Sequence, residues 1–538
     1  MAKKAAPKNQ KSIEESLWDS ANKLRGKVES SEYKHVVLGL IFLKFASDKF
    51  EKRKQELIAD GKEKYLEMKE FYNMKNVFFL SEEARWSHIM ENAKQDDIAL
   101  KIDSALHNVE RNNPSLKGAL PDNYFSRLGM DAAKLSALLD TVNNIDTLLD
   151  EKEDVIGRIY EYFLGKFASA EGKGGGEFYT PKSIVNLIAE MLEPYKGKIY
   201  DPCCGSGGMF VQSIKFVESH NGDTKDISVY GQEYTATTYK LAKMNLAIRG
   251  ISANFGEVPA DTFFNDQHPD LKADYIMANP PFNQSQWRDK NELTDDARWK
   301  GYEVPPVGNA NYAWIMHMLS KLSENGTAGF VLANGSMSSN TSGEGELRKS
   351  MIENDLVDCM IALPGQLFYT TQIPVCLWFM TKNKKADAAK GFRDRSGETL
   401  FIDAREMGIM IDRVHKELTE DDIQEIAQTY HNWRSTTEAL KDRHSDASND
   451  RHSEESKESL SYEDKPGYCK SATTAEIKKN DYVLTPGRYV GMAAVEDDGV
   501  PFEEKMSALS HQLFAQMDEG EKLDEAIKKN LKMLGYGE

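Results

Sequence analysis

Ile199-Tyr200-Asp201-Pro202-Cys203-Cys204-Gly205-Ser206-Gly207-Gly208-Met209-Phe210-Val211 is the stretch that decides the fold. Its start reads as the end of a strand, its middle as a glycine-rich turn, and its end as the opening of an amphipathic helix. Strand, turn and helix in that order let a backbone approach a nucleotide-like ligand closely. No Gly-Lys-Ser/Thr comes after the turn, so this is not a Walker phosphate loop, and the poor match to G-x-G-x-x-G weakens a dinucleotide reading. One βαβ unit on, Ile227-Ser228-Val229-Tyr230-Gly231-Gln232-Glu233 reads as a second strand ending in a carboxylate. A carboxylate there suits a ribose diol, because it accepts from both hydroxyls. The plainer alternative is a solvated strand terminus.

Further along, Tyr275-Ile276-Met277-Ala278 reads as a buried strand that stops at Asn279-Pro280-Pro281-Phe282. Consecutive prolines end the ladder and stiffen the backbone. A stiff loop carrying an Asn amide oxygen and a free carbonyl accepts two hydrogen bonds from one exocyclic amine. The adjoining aromatic ring stacks on the ring that bears that amine. Alone, Asn-Pro-Pro is equally well a simple turn.

Together, Asp-Pro-x-Cys-Gly-Ser-Gly and the later Asn-Pro-Pro-Phe resemble the S-adenosylmethionine-dependent amino methyltransferases that act on adenine N6 in DNA. Gly174-Gly175-Gly176-Glu177-Phe178-Tyr179-Thr180-Pro181-Lys182 resembles their further cofactor element. Asp261 lies where that family places an acid facing the cofactor's adenine. The order of these elements corresponds to the family's γ arrangement. Phe330 to Gly335 and Ile361 to Phe368 resemble its remaining strands and substrate-side loop. The resemblance implies an α/β, Rossmann-like S-adenosylmethionine-dependent methyltransferase core. It implies Asn279, Pro280, Pro281 and Phe282 as catalytic residues. The cofactor contacts it implies are Glu177, Phe178, Tyr179, Thr180, Pro181, Lys182, Asp201, Cys203, Gly205, Ser206, Gly207, Gly208, Glu233 and Asp261. Phe368 is either a second apolar wall for the target base or a core residue. RNA or a protein glutamine as methyl acceptor, and a non-catalytic assembly subunit, remain as alternatives.

The 538 residues are enough for two or three domains and a large core. Five cysteines make neither a disulfide framework nor a zinc pattern, and no metal site is expected. The richest apolar run, Val36 to Phe45, is too short to cross a bilayer, and a cytoplasmic protein with no membrane partner is expected. A net charge of −18 is the wrong sign for gripping DNA phosphates unaided. Before about residue 165 the pattern reads helical, with Ile13, Leu17, Ala21 and Leu24 on one face and longer helices over Tyr33–Phe50, Ala132–Val142 and Asp154–Lys166.

Expected divisions are a helical N-terminal domain at 1–165, a catalytic domain at 166–400, a helical extension at 401–440, a polar linker at 441–465 and a helical C-terminal tail at 466–538. The linker repeats Asp-Arg-His-Ser at 442–445 and 450–453; composition favours a solvated loop over a metal site. In the tail, Met506, Leu509, Leu513 and Met517, then Leu523, Ile527, Leu531 and Leu534, fall at helical spacing. Such a stripe is either ordinary core or a face for a partner helix. No base-reading module lies beyond the core, and the whole chain resembles the modification subunit of a type I restriction–modification system. That resemblance implies double-stranded DNA as substrate and a separate specificity subunit flanked by two modification subunits, with a restriction subunit joining them.

Overall fold

The computed structural model describes residues 18–19, 30–145, 147, 159, 162–163, 180–368, 371–440, 461–492 and 502–533. Two compact units divide the chain, 1–491 and 492–538.

Helices dominate the first part of the larger unit. The apolar run expected as a core helix lies within a helix over Ser30–Ala59, where Val36 to Leu43 are buried, and Ala132–Asn143 is helical as its periodicity predicts. Ile13, Leu17, Ala21 and Leu24 fall outside the described residues, as does most of 154–166. This helical core also takes in Leu241, Met244 and Ile248 from the helix Ala236–Ile248, so it packs directly on the catalytic part.

Among the described residues, the catalytic part is built on eleven strands: β1 (Gly197–Asp201), β2 (Ile227–Gly231), β3 (Ala253–Asn254), β4 (Ala273–Ala278), β5 (Leu322–Ala333), β6 (Val357–Ala362), β7 (Val375–Thr381), β8 (Glu398–Asp403), β9 (Ile409–Met410), β10 (Lys416–Glu417) and β11 (Cys469–Thr473). Nine of them form one sheet in the order β11-β8-β6-β7-β5-β4-β1-β2-β3, and β9 and β10 form a small hairpin. The pairs β1–β2, β2–β3, β1–β4 and β4–β5 are parallel. β7 runs antiparallel between β5 and β6. One side of the sheet buries the helices Lys182–Leu192 and Gly208–Ser219, and the other buries the helix Asn311–Lys321. The chain builds outward from β1 to β3, then returns to β4 on β1's other side. That reversal opens a crevice beyond the carboxyl ends of β1 and β4, the place where open α/β sheets bind ligands.

The sheet does not respect the divisions expected at 400 and 466. β8 crosses the first, and β11 returns after the polar stretch to pair antiparallel with β8 from Cys469↔Ile402 to Thr473↔Glu398. Tyr489 then stacks on Phe401 with ring centres 3.8 Å apart. Residues 461–491 therefore belong to the catalytic unit. The segment expected as a helical extension holds the β9–β10 hairpin as well as the helix Glu420–Arg434. In the second unit, Phe502–Met533 is one continuous helix of 32 residues. Among the described residues, no helix is long and apolar enough to cross a membrane.

Candidate active site

Asp201 ends β1 and turns its carboxylate back on the loop, where Oδ1 accepts from the Cys203 N–H at 3.0 Å. Burial is the main reason that its pKa is pushed up to about 7, with the nearby Glu233 charge adding to the shift. Two backbone hydrogen bonds lock the loop after β1 to the loop after β2: Gln232 N to Asp201 O at 3.0 Å and Cys204 N to Gln232 O at 2.9 Å. Gly205 and Gly207 adopt φ of 53° and 80°, the left-handed region where a side chain is strained. A Cβ added at Gly205 or Gly208 meets nothing within 4 Å, so the turn borders open space. Asn245 fastens it from behind, donating Nδ2 to the Ser206 carbonyl at 2.7 Å.

Glu233 uses its carboxylate on this same turn. Oε2 accepts from the Gly205 N–H at 3.1 Å and Oε1 from the Thr235 N–H at 2.8 Å. Asp261 is held near Glu233 by the Ala260 N–H donating to the Glu233 carbonyl at 3.0 Å. Its Oδ1 accepts from the N–H groups of Phe263 at 2.7 Å and Phe264 at 3.2 Å, which shapes the next turn.

Asn279 comes directly after β4. Its Nδ2 donates to Thr180 Oγ1 at 2.9 Å, whereas its Oδ1 is buried with no hydrogen-bond partner among the described residues. Phe282 meets Phe368 edge to face, ring centres 5.6 Å apart, and Phe368 is itself buried. Phe368 is thus a core residue that touches Phe282. Beyond the prolines, Asn283 takes φ 51° and exchanges two hydrogen bonds with the buried Asn311, N to Oδ1 at 3.1 Å and Nδ2 of Asn311 to Oδ1 at 2.9 Å. This clamp ties the loop after the prolines to the start of the helix Asn311–Lys321.

One cavity gathers Thr180, Lys182, Asp201, Cys203, Gly205, Ser206, Gly208 and Asn279. Gln212 and Asn245, neither singled out from the sequence, also line it. Both sit among apolar residues on their helices, so the spacing does not mark them out. Glu233 and Asp261 stand beside the turn rather than in the cavity wall. Pro181 caps the helix Lys182–Leu192, and Gly207 caps Gly208–Ser219. Glu177, Phe178 and Tyr179 lie outside the described residues. No group of three or more potential metal-ligating side chains occurs among the described residues.

The model of the N-6 DNA Methylase family matches residues 151–498, and that of the HsdM N-terminal domain matches 13–144. The type I restriction enzyme HindI methylase subunit of Haemophilus influenzae is 47% identical, over 84% of this chain and 99% of its own length. The MjaIX methylase subunit of Methanocaldococcus jannaschii is 40% identical, over 97% of this chain and 92% of its own. In fold, the methyltransferase subunit of a type I restriction–modification system from Streptococcus thermophilus superposes with a TM-score of 0.69 at 22% identity, covering 89% of this chain and 99% of that one.

Proposed function

The chain belongs to the N-6 DNA methylase family, among the methylase subunits of type I restriction enzymes, and we propose that it methylates adenine N6 in DNA at the cavity between Asp201 and Asn279. The observation that carries this reading is the Oδ1 of Asn279, buried and without a partner among the described residues, in a cavity bounded by a glycine turn. An acceptor left in that condition is costly unless a donor arrives with the substrate. Family membership favours DNA adenine over RNA or a glutamine amide.

The residues present fit S-adenosylmethionine. Open space over Gly205 and Gly208 receives a flat, polar ligand, and Lys182, Asp201, Cys203 and Ser206 supply polar contacts around it, with Thr180 in the cavity wall beside Asn279. Glu233 is assigned to the ribose diol and Asp261 to the adenine side; Pro181 and Gly207 shape the backbone, and Glu177, Phe178 and Tyr179 complete the cofactor element. When bound, the cofactor supplies an electrophilic methyl group on its sulfonium. Adenine N6 is a weak nucleophile because its lone pair is delocalised into the ring. Asn279 Oδ1 and the Pro280 carbonyl accept its two N–H bonds and draw that nitrogen toward a tetrahedral shape, while Pro281 keeps the loop stiff. Positioning and transition-state electrostatics therefore carry the rate, and no strong base is needed before attack. The target must leave the duplex stack, and Phe282 holds it by stacking.

The acidic chain acts with partners: double-stranded DNA, a specificity subunit that reads the sequence between two copies of this chain, and a restriction subunit. The site of action is the cytoplasm. In this reading Asn279→Ala leaves cofactor affinity nearly intact and abolishes methyl transfer, because its interaction strengthens as N6 becomes tetrahedral. Methylation of DNA by that variant at the parental rate would refute the mechanism.

A further inference from the structure

We propose that Thr180 is a positioning residue for Asn279: its hydroxyl takes the amide nitrogen, so that the carbonyl oxygen remains for the target amine. The proposal rests on the methyl-transfer reading above and adds a device to it. A carboxamide has a donor end and an acceptor end, and only the acceptor end can receive the N–H groups of an exocyclic amine. Asn279 places its donor on Thr180 Oγ1 at 2.9 Å and leaves Oδ1 buried without a partner among the described residues. Reversal of the amide would let the hydroxyl donate to Oδ1 and so occupy the acceptor end. It would also turn a donor toward an amine that is itself a donor.

The partner is well anchored. Thr180 directly precedes Pro181, whose φ of −55° opens the helix Lys182–Leu192. That helix is braced by Glu420–Arg434: the His431 ring Nε2 lies 2.9 Å from the Glu190 carbonyl, and Arg434 pairs with Glu193. Asn279 extends from a strand at the centre of the sheet. Two rigid elements, joined through residues 99 apart in sequence, thus meet at one hydrogen bond. An orienting contact carried on such elements holds a reacting group within a narrow range of angles.

The test uses the full chain assembled with its specificity subunit, S-adenosylmethionine and a DNA duplex bearing the target site. Formation of N6-methyladenine by the parental assembly checks the underlying reading separately. Thr180→Val keeps the shape of the side chain and removes the acceptor. It is expected to slow single-turnover methyl transfer roughly 10- to 100-fold, the size of effect that an unmatched buried donor produces, with cofactor affinity and DNA affinity within about twofold. Thr180→Ser restores the acceptor and most of the rate. The proposal is overturned if Thr180→Val transfers at the parental rate, if its loss lies in cofactor affinity, or if Thr180→Ser is as slow as Thr180→Val.

Discussion

At the scale of single residues, Asp201 couples the stability of the site to pH. Burial raises its carboxyl from 3.8 to about 7. Between those values the folded chain holds a proton that the unfolded chain has released. Stability therefore falls as pH rises from about 4 to about 7, and the whole penalty is present above 7. Asp201→Asn keeps an acceptor for the Cys203 N–H and removes the titration. Thermal melting of the cofactor-free variant should lose this contribution to the pH slope, and a slope identical to the parent's would contradict the burial argument. Glu233 invites a second measurement. Glu233→Ala removes the acceptor of the Gly205 N–H, that of the Thr235 N–H and the proposed diol acceptor, so S-adenosylmethionine binding should weaken by roughly 1–3 kcal/mol. Calorimetry returning the parental affinity would remove Glu233 from the ribose. The glycine turn and Asn279-Pro280-Pro281-Phe282 were legible in the sequence because their chemistry is local. The contact between Thr180 and Asn279 was not, since no local pattern announces which side chain meets an amide 99 residues away.

At the scale of elements, the sheet is tied to its covering helix by buried charge. Asp358, on β6, lies 3.3 Å from Arg395 Nε, and accepts from the Tyr430 hydroxyl at 2.6 Å. Arg395 is held over Trp433, 5.6 Å from its ring centre. Burial alone would push the Asp358 carboxyl up; the Arg395 guanidinium, with Lys384 and the Tyr430 hydroxyl, outweighs it and holds the group below its ordinary range. Asp358→Ala leaves Arg395 buried without its carboxylate and should cost about 3–5 kcal/mol in denaturant unfolding. A loss under about 1 kcal/mol would mean that Arg395 finds water or another partner. Because Glu420–Arg434 braces the helix that begins at Lys182, such loosening should reach the active site as well. Ile361, on β6, was reached through the family resemblance, β7 was not singled out, and strand direction was not legible. Every residue of β7 is buried, and a continuous apolar run reads alike in parallel and antiparallel neighbours. β11 was missed because Cys-Lys-Ser-Ala-Thr is short and mixed, and gains its place only by pairing with a distant strand.

At the scale of the whole molecule, charge and exposed apolar surface both speak for assembly. A chain of net charge −18 should bind DNA weakly when purified alone. Adding the specificity subunit should give two copies of this chain per complex and tight binding at a defined site. The helix Phe502–Met533 exposes Leu509, Leu513, Met517, Leu523 and Ile527, each more than half accessible. Leu513→Asp should leave the melting of the isolated chain unchanged and weaken assembly, because it puts an unpaired charge on a face that a partner buries. Undiminished assembly of this variant, measured by titration with the specificity subunit, would dismiss the helix as the docking face. That stripe was legible as a helix; one end of a chain gives no sign of whether such a face is covered from within or without. The position of β11 also bears on how the protein is made. Synthesis proceeds at roughly 5–20 residues per second, and domains fold as units. Until Thr473 has left the ribosome, β8 keeps one row of backbone donors and acceptors open, an edge onto which another nascent chain can add. The half-made enzyme is thus most in need of a chaperone while residues 404–473 are being translated, when most of its catalytic side chains already exist.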